Sequence, residues 1–268
     1  MLGLALSLFV GLAVVRGAVV SEGPGGRLTR ITKGVQLAPV RNAPLRTASL
    51  HDRIADGGSI RTGAEARAEV TFPDGAVARF GGKSVGGLGA RAQVIELKEG
   101  AVLFQAPKGT TRMKVETGGI TVEARGTTGI MERHENLYVK ILVLEGTARV
   151  FTNKVGESIL VTPGQMLITK PGTTTLPEAV HFDLGHLYKT SLLVNAGFAP
   201  LARKNEILRA IKEQESDPAL IRTNLVIYGR GTLVNLVAPT PAASPSARAA
   251  SSAAAQASPG LVPTTRRK

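Results

Sequence analysis

The residue types that could perform acid–base or metal chemistry are few in this sequence. The histidines are His51, His134, His181 and His186, and no two have the i, i+4 spacing of a helical metal pair. In the run "MERHEN", the period of two in an extended strand puts Glu132 and His134 on one face. A metal site there would need a third ligand from elsewhere in the chain. We therefore interpret the run as polar residues at a β corner, and predict no catalytic residue, no metal and no cofactor.

Two glycine-rich segments invite comparison with phosphate-binding loops. They are "GGKSVGGLGAR" at residues 81–91 and "GTTG" at residues 126–129. Neither opens an apolar helix whose first amides would face an anion, and the second has no lysine. No nucleophile elbow or dinucleotide fingerprint is present. The sequence favours a protein that is not an enzyme; the polar run around His134 is the one feature that supports the enzyme alternative.

The segment "AEVTFPDGAVARFGG", residues 68–82, has the pattern of a β-hairpin. Apolar and polar residues alternate on both sides of Pro-Asp-Gly, as in half-buried strands. Proline suits the second position of a type I turn, aspartate bonds to nearby backbone, and glycine accepts a positive φ. Asp74 and Gly75 are therefore predicted to be turn residues.

A series of short alternating runs fills the chain from Ser59 to Thr169 and predicts an all-β domain. Short strands with closely spaced turns indicate a two-sheet sandwich, a barrel or a short β-solenoid. The predicted strands are 59–62, 66–72, 76–80, 92–97, 101–105, 111–116, 119–125, 128–133, 137–144, 147–151, 157–161 and 165–169.

Two Glu-Gly pairs repeat within this region. "ELKEGAVLFQ" contains Glu99-Gly100 and "VLEGTARVF" contains Glu145-Gly146, each before an alternating run that ends near an aromatic residue. Glycine at a corner that needs a positive φ explains both copies. We predict a hairpin at each pair, and a bulge with close backbone approach at Gly126.

After Lys170 the pattern changes to helical spacing. Asp183–Val194 is predicted to be a helix with Asp183 as N-cap and with Leu184, Leu187, Tyr188, Ser191 and Leu192 on one face. A second helix, Leu201–Glu215, has Ile207, Leu208 and Ile211 on one side and Arg203, Lys204, Lys212 and Glu213 on the other. These helices are predicted to close an open face or edge of the sheets.

The two ends of the chain have distinct compositions. The apolar run Leu2–Val15 is short for a bilayer span and suits the h-region of a signal peptide, although a basic n-region is missing. We predict an atypical signal peptide over residues 1–21, cut after Gly17 or Ser21, and hence an extracytoplasmic protein. Residues 238–268 are rich in Ala, Ser and Pro and are predicted to be a disordered tail.

The formal charge of +13 raises the question of an anionic partner. Part of the charge lies in the tail, and the rest is scattered along strands and turns without a basic helix. This distribution favours a solvated basic surface, and no specific nucleic acid is expected. An envelope structural protein whose tail contacts anionic polymer is retained as an alternative. The absence of cysteine excludes disulfides and thiolate metal sites and leaves the redox compartment undecided.

The order of the motifs resembles the FecR-like domain family over about residues 35–170. The first matching segment is "GGSIRTGAEARAEVTFPDGAVARFGGKS", and "LKEGAVLFQAPKG", "VETGGITVEARGTTGIME", "VLEGTARVF" and "TPGQMLIT" follow in the family's order. An aromatic residue usually follows the Gly-Thr segment of the family, where this chain has Gly129 and Ile130. The turn and motif residues that carry the resemblance are Thr62, Gly63, Asp74, Gly75, Gly100, Gly126, Thr127, Gly146 and Gly164.

The resemblance implies a FecR-like β domain over residues 30–170, followed by a helical extension at 171–216 and a short irregular or β segment at 217–237. It implies a non-catalytic binding or signal-relay module of the cell envelope, whose partner is another envelope protein and which has no small-molecule substrate. Better-known relatives are transmembrane regulators of sigma factors. That role is retained as an alternative in case the chain start is truncated, since no anti-sigma module precedes the apolar run.

Overall fold

The computed structural model describes residues 25–91, 93–109, 112–153, 157–227 and 232–241. The predicted signal peptide and all but the first few residues of the predicted tail lie outside the described residues. Within the described part of the chain, no helix has the length and apolar character needed to cross a membrane.

The described residues form nineteen strands and three helices. In chain order they are β1 (Gly25–Thr32), β2 (Val35–Ala38), β3 (Arg46–Thr47), β4 (Arg53–Ala55), β5 (Ser59–Thr62), β6 (Arg67–Thr71), β7 (Val77–Phe80), β8 (Val85–Leu88), β9 (Val94–Ala106), β10 (Met113–Thr117), β11 (Ile120–Ala124), β12 (Thr127–His134), β13 (Tyr138–Glu145), β14 (Ala148–Thr152), β15 (Ser158–Val161), β16 (Gln165–Thr169), β17 (Val180–Phe182), α1 (Leu184–Thr190), α2 (Leu192–Asn195), α3 (Lys204–Glu215), β18 (Leu220–Ile227) and β19 (Val234–Pro239).

The strands pair into two sheets that share the long strand β9. The central sheet has the order β4-β1-β6-β7-β9-β12-β13-β16-β17-β19-β18. The outer sheet has the order β3-β2-β5-β8-β9-β10-β11-β14-β15. All pairings are antiparallel except that of β9 with β10. The first half of β9 lies in the outer sheet and the second half in the central sheet.

The main core lies between the two sheets. Inward side chains of the central sheet, such as Phe80 and Phe104, join those of the outer sheet, such as Ile60 and Ile95, in one buried cluster. Branched aliphatic residues make up most of this cluster, as the low aromatic content requires. The predicted all-β class is confirmed, with two sheets packed around one core.

A second apolar cluster covers the other face of the central sheet. There Leu103, Ile130 and Leu142 pack against residues of the C-terminal elements, including Leu187 and Ile207. Because both faces of the central sheet are covered, β13 is buried along almost its whole length instead of alternating. The protein therefore has three layers: the outer sheet, the central sheet and the helices.

The hairpins predicted at the Glu-Gly pairs are not present. Gly100 lies inside β9, where a φ of +90° bends one continuous strand from the outer sheet into the central sheet. Gly146 has a φ of +75° and lies between β13 of the central sheet and β14 of the outer sheet. Both glycines supply the positive φ that was predicted, but the corners move the chain between sheets instead of reversing it within one.

The first predicted helix is divided in two by Ser191. Its backbone is extended (φ −67°, ψ 122°), and its hydroxyl accepts a hydrogen bond from the Leu193 amide, so it ends α1 and begins α2. Asp183 caps α1, as predicted, by accepting from the His186 amide at 2.8 Å. The break rotates the following residues, so that Leu193 is buried and Leu192 is exposed, contrary to the predicted face.

The second predicted helix corresponds to α3, with two differences in its faces. Ile207 is buried and Ile211 contacts the second cluster, as predicted, whereas Leu208 is exposed. Arg203, predicted to lie on the side of the helix opposite the apolar residues, precedes α3 and binds a buried carboxylate. The buried carboxylate belongs to Glu145, which lies opposite the start of the helix. Helical spacing alone does not reveal such a partner.

Strand β8 was not predicted because its sequence, "VGGL", contains two glycines. A Cβ on Gly86 would lie 2.6 Å from the Glu96 carbonyl oxygen, and one on Gly87 would lie 2.1 Å from the Gly58 oxygen. The neighbouring backbones approach too closely for any larger residue. Close packing of the neighbouring strands therefore explains the two glycines of β8, which sequence patterns assign to a loop.

Candidate partner-binding site

A groove lies where β17, β18 and β19 end the central sheet. It encloses a volume of about 780 Å³, and most of the side chains along it are apolar. The lining residues are Glu178, Ala179, Val180, His181, Asp217, Ala219, Leu220, Thr223, Leu225, Leu236, Val237, Ala238 and Pro239.

Large apolar side chains in and beside this groove are open to solvent. Leu225 is 59% exposed, and Val180 and Ile221 are 43% exposed. Single exposed apolar residues are ordinary, but several gathered around a concave surface are typical of a binding site. Covering each of these side chains would contribute about 1 kcal/mol.

Strand β18 forms the edge of the central sheet beside the groove. In the described residues it pairs only with β19, so one side of its backbone has no partner strand. The register shifts between Arg222 and Val226, where the strand bulges. An open edge presents N–H and C=O groups to which an extended segment can bind. The bulge limits continuous pairing to the two ends of β18.

Polar contacts attach the β18–β19 pair to the helices. Arg222 lies 3.7 Å from Asp183 and 3.7 Å from Glu215. Within the pair itself, the hydroxyl of Thr223 in β18 donates to the Leu236 carbonyl in β19 at 3.0 Å. Since Arg222 is largely exposed, each of its ion pairs contributes little to stability. Arg222 therefore adds little to the backbone pairing with β19 that holds β18 in place.

At its other end, β19 begins next to a buried ion pair. The Lys140 ammonium lies 3.0 Å from Glu132 and donates to the Thr232 carbonyl at 2.8 Å. Glu132 also accepts hydrogen bonds from the hydroxyls of Thr232 and Tyr138. Burial lowers the pKa of the Lys140 amine, and the Glu132 carboxylate opposes that shift. The pair therefore joins the residue just before β19 to β12 and β13 of the central sheet.

A second buried ion pair lies beneath the turn after α2. Arg79 of β7 binds Glu69 of β6 at 2.8 Å. The same guanidinium donates to three carbonyls in the C-terminal segment, those of Leu193 (3.1 Å), Val194 (3.3 Å) and Ala199 (2.6 Å). It also lies 4.6 Å from the ring centre of Phe198, within range of a cation–π interaction. Burial lowers the Arg79 pKa, while Glu69 raises it.

A third buried ion pair fixes the start of α3. Arg203 binds Glu145 at 2.6 Å, and Glu145 accepts from the Thr128 hydroxyl at 2.8 Å. Gln105 donates to Thr128 and accepts from the Ala202 amide. All three acidic partners are therefore supplied by strands of the central sheet. The helical segment cannot leave this sheet without exposing its apolar face and separating Arg203 from Glu145.

Sequence patterns did not predict these buried ion pairs. The sequence pattern drew attention to Glu132 only as a candidate metal ligand. In the structure its carboxylate binds Lys140, Thr232 and Tyr138. The signal that could have found the pair is the placement of single charges within continuous apolar runs, as in "YVKILVLEG". A charge in a strand that is apolar on both faces needs a buried partner.

The predicted motif residues form two rows of sheet-crossing corners. In the first row, the Thr62 hydroxyl donates to the Gly81 carbonyl at 2.6 Å and accepts from the Ser84 amide at 2.8 Å. Ser84 in turn bonds both backbone groups of Ala101, next to the bend at Gly100. Gly63 continues the row, with its amide donating to the Gly34 carbonyl at 3.1 Å.

The second row joins the corners at Gly126 and Gly146. A Cβ on Gly146 would lie 2.3 Å from the Gly126 carbonyl oxygen, so the corners touch. The Thr127 hydroxyl donates to the Thr147 carbonyl at 2.8 Å across the same contact. Gly126 has a φ of +59° and lies at a sheet crossing with close backbone approach, not at a bulge within a ladder. The register shift falls next to it, between Thr128 and Gly129.

The remaining motif residues also contact backbone. Asp74 accepts from the Ala76 amide at 3.0 Å and from Gln93, and Gly75 has a φ of +83° in the β6–β7 turn. Gly164 contacts Gln214 of α3, whose amide group also bonds the strand before α1. No motif residue lies in the groove.

The histidines do not form a common site. His134 lies beside the Tyr138 ring, with ring centres 5.8 Å apart, and its Nδ1 is 3.2 Å from the Glu135 carbonyl. His51 occupies a turn with a φ of +69°. Among the described residues, no group of three His, Cys, Asp or Glu side chains is arranged to hold a metal ion.

The fold and groove define an all-β domain with a covering helical segment and an open surface at one sheet edge. The family model described as "FecR protein" matches residues 58–149. Those residues therefore match the family that the motifs were predicted to resemble. The match ends within β14, so the groove lies outside it.

Two crystal structures from Parabacteroides distasonis ATCC 8503, each described as a "putative anti-sigma factor", are similar to this chain at 17% identity. The first match covers 46% of this chain and 59% of the other, with a TM-score of 0.40. The second covers 74% and 91%, with a TM-score of 0.44. The chain thus spans little more than half of the first structure. A search of curated proteins finds no match.

Proposed function

We propose that this protein is an extracytoplasmic, non-catalytic module that binds another envelope protein and relays that contact. The observation that carries the proposal is the FecR domain at residues 58–149. The predicted signal peptide supports the location. The buried motif residues support a scaffold role, since their side chains bond backbone at sheet crossings and leave recognition to other surfaces.

The partner binds at the groove of β17–β19. An extended segment of the partner pairs with an open end of β18, and its apolar side chains cover Leu225 and Val180. Strand addition supplies backbone hydrogen bonds, whereas the groove supplies selectivity for apolar side chains. This surface combines an apolar concavity with unpaired backbone, and both suit a protein partner better than a small polar molecule.

The relay passes through β19. Thr232, just before this strand, contacts both members of the Lys140–Glu132 pair. A partner that shifts β18 and β19 moves Thr232 and changes the hydrogen bonds of a charged pair in which each side chain is only 1% exposed. Buried pairs respond strongly to such changes because few other partners are within reach.

Reporter fusions test the location. β-Lactamase lacking its own signal peptide is fused after Lys268, and ampicillin resistance of the host reports export. The full chain is expected to give resistance, and a matched fusion lacking residues 2–21 is expected to give none. Recovery of the full-length fusion in the cytosol with its first twenty residues intact would contradict the proposed location.

Site-specific photo-crosslinking in the native host tests the binding site. A photoreactive phenylalanine replaces Leu225 in the groove. In the control it replaces Leu50, which is 54% exposed and precedes the matched residues 58–149. We expect a discrete adduct with one envelope protein from position 225 only. Equal adducts from both positions, or none from position 225 in exported protein, would refute the groove as the partner site.

The formal charge of +13 favours one second candidate, an envelope structural protein that contacts anionic polymer through its tail. Deleting residues 242–268 separates the two functions, because it removes the basic tail and leaves β19 intact. If this second function holds, the truncated protein loses affinity for anionic cell-wall polymer and changes its localisation. Retention of both properties eliminates it, and the crosslink at position 225 is unaffected in that case.

A further inference from the structure

A second concave surface lies on the solvent-facing side of the outer sheet, on β10, β11, β14 and β15. It encloses about 420 Å³. Its lining consists of three arginines, one glutamate, two apolar side chains and small residues: Arg112, Glu123, Ala124, Arg125, Thr147, Arg149, Phe151 and Leu160. It lies outside the β17–β19 groove and shares no residue with it.

The strand register concentrates positive charge in this pocket. Met113 pairs with Ala124, which places Arg112 beside Arg125, and Glu123 pairs with Arg149 on the next strand. The carboxylate of Glu123 is already engaged, at 3.4 Å from Arg112 and 3.0 Å from Lys114. Within the described residues, Arg125 and Arg149 form no ion pair, and Arg149 donates only to the Ser158 hydroxyl at 3.3 Å. Two guanidinium groups are therefore available for an anion.

The pocket ends at the open edge of the outer sheet. In the described part of the chain β15 pairs with β14 alone, so its outer backbone groups have no partner strand. Leu160 of β15 is 51% exposed and lies opposite Arg149 in the register. Phe151, opposite Ser158, is the next side chain on the same face. An apolar residue and an arginine thus adjoin an edge to which a strand can be added.

We propose that this surface binds an extended acidic segment of a protein partner. The segment pairs with β15, places a carboxylate between Arg125 and Arg149, and packs an apolar side chain on Leu160. A long polyanion fits less well, because Glu96 and Glu116 lie on the same face and would repel charges beyond the pocket. Arginine forks bind carboxylates bidentately, which suits a short acidic segment.

Fluorescence anisotropy with the full chain tests this proposal. The probe is a labelled peptide of alternating Glu and Val, with the Lys-Val peptide as charge control. The variant Arg125→Gln/Arg149→Gln is compared with Arg30→Gln/Arg61→Gln, which removes the same charge from exposed positions elsewhere. We expect the pocket variant to weaken Glu-Val binding by about tenfold or more, and the control variant to change it less than about twofold.

Three outcomes would overturn the proposal. Equal weakening by both double variants would mean that net charge alone attracts the peptide. Unchanged affinity of a Glu-Val peptide methylated at alternate backbone nitrogens would exclude pairing with β15. Inorganic polyphosphate that binds as tightly, with the same dependence on Arg125 and Arg149, would show a general anion site. Each result leaves the crosslinking test at position 225 unaffected, so the two sites are judged separately.

Discussion

Individual glycines in this protein permit the chain to cross between two sheets. At Gly146 two requirements coincide, because its φ is +75° and a Cβ would lie 2.3 Å from the Gly126 oxygen and 2.8 Å from the Thr127 Cα. Gly172 also has a positive φ, of +74°, but a Cβ added there would have no neighbouring atom within 4 Å. A comparison of the two positions therefore distinguishes the cost of a positive φ, which both share, from the cost of a steric clash, which only Gly146 would have.

We expect Gly146→Ala to destabilise the protein by more than about 3 kcal/mol, because the backbones of the two corners must move apart. Gly172→Ala is expected to cost only about 1 kcal/mol, the ordinary cost of a left-handed alanine. Urea unfolding followed by circular dichroism measures both. Similar losses in the two variants would show that φ alone, and not the contact between the corners, requires glycine at position 146.

The buried pair of Lys140 and Glu132 makes a second prediction for single residues. Lys140→Met removes the ammonium that lies beside the buried Glu132 carboxylate and is expected to cost about 3–5 kcal/mol. The double variant Lys140→Met/Glu132→Gln removes both charges, keeps an acceptor oxygen for one of the Tyr138 and Thr232 hydroxyls and offers an amide NH2 donor to the other, so it should recover most of that loss. A double-mutant cycle by denaturant unfolding gives the coupling energy. Additive losses would mean that the two side chains do not stabilise each other.

At the scale of elements, the C-terminal segment is attached to the central sheet through charged side chains as well as apolar packing. Arg79 is central to this attachment, because one guanidinium binds Glu69 and three carbonyls of the segment after α1. A lysine at this position could keep the charge but not the several directions in which arginine donates. The attachment therefore depends on arginine in particular.

We expect Arg79→Lys to increase amide hydrogen exchange in α2 and the following turn by about tenfold or more, with little change in β12 and β13. The matched control is Arg209→Lys, since Arg209 forms an exposed i, i+4 pair with Glu213 and contributes little. Hydrogen exchange read by mass spectrometry locates the effect. Faster exchange throughout the central sheet would indicate global destabilisation instead of local release of the segment.

The sequence predicted most strands of the central region because alternation and turn residues are local properties. It joined them wrongly at Gly100 and Gly146, since a positive φ permits a hairpin and a sheet crossing equally well. It also placed Arg203 on the polar side of a helix and gave no sign of its buried partner, because Glu145 is distant in the chain. The groove could not be predicted at all, since it is formed by strands from separate segments whose side chains have no distinctive composition.

At the scale of the whole molecule, the three layers make the helical segment part of one folding unit. The face of the central sheet beneath it carries Leu103, Ile130, Leu142 and Leu144, all fully buried. It also carries Glu69 and Glu145. Glu69 binds Arg79, which donates to carbonyls of the C-terminal segment, and Glu145 binds Arg203 of that segment. Without the segment, this apolar face would be larger than soluble monomers usually expose.

A fragment of residues 25–183 tests this dependence, because it keeps β1–β17 and removes everything that covers the sheet from the C-terminal side. We expect it to bind a hydrophobic dye and to elute as oligomers, because Leu103 and Leu142 become exposed while the core between the sheets remains. Replacing those two leucines with threonine, which favours strands, should reduce both effects. A monomeric fragment that melts at the temperature of the full chain would show that the two sheets are stable without the third layer.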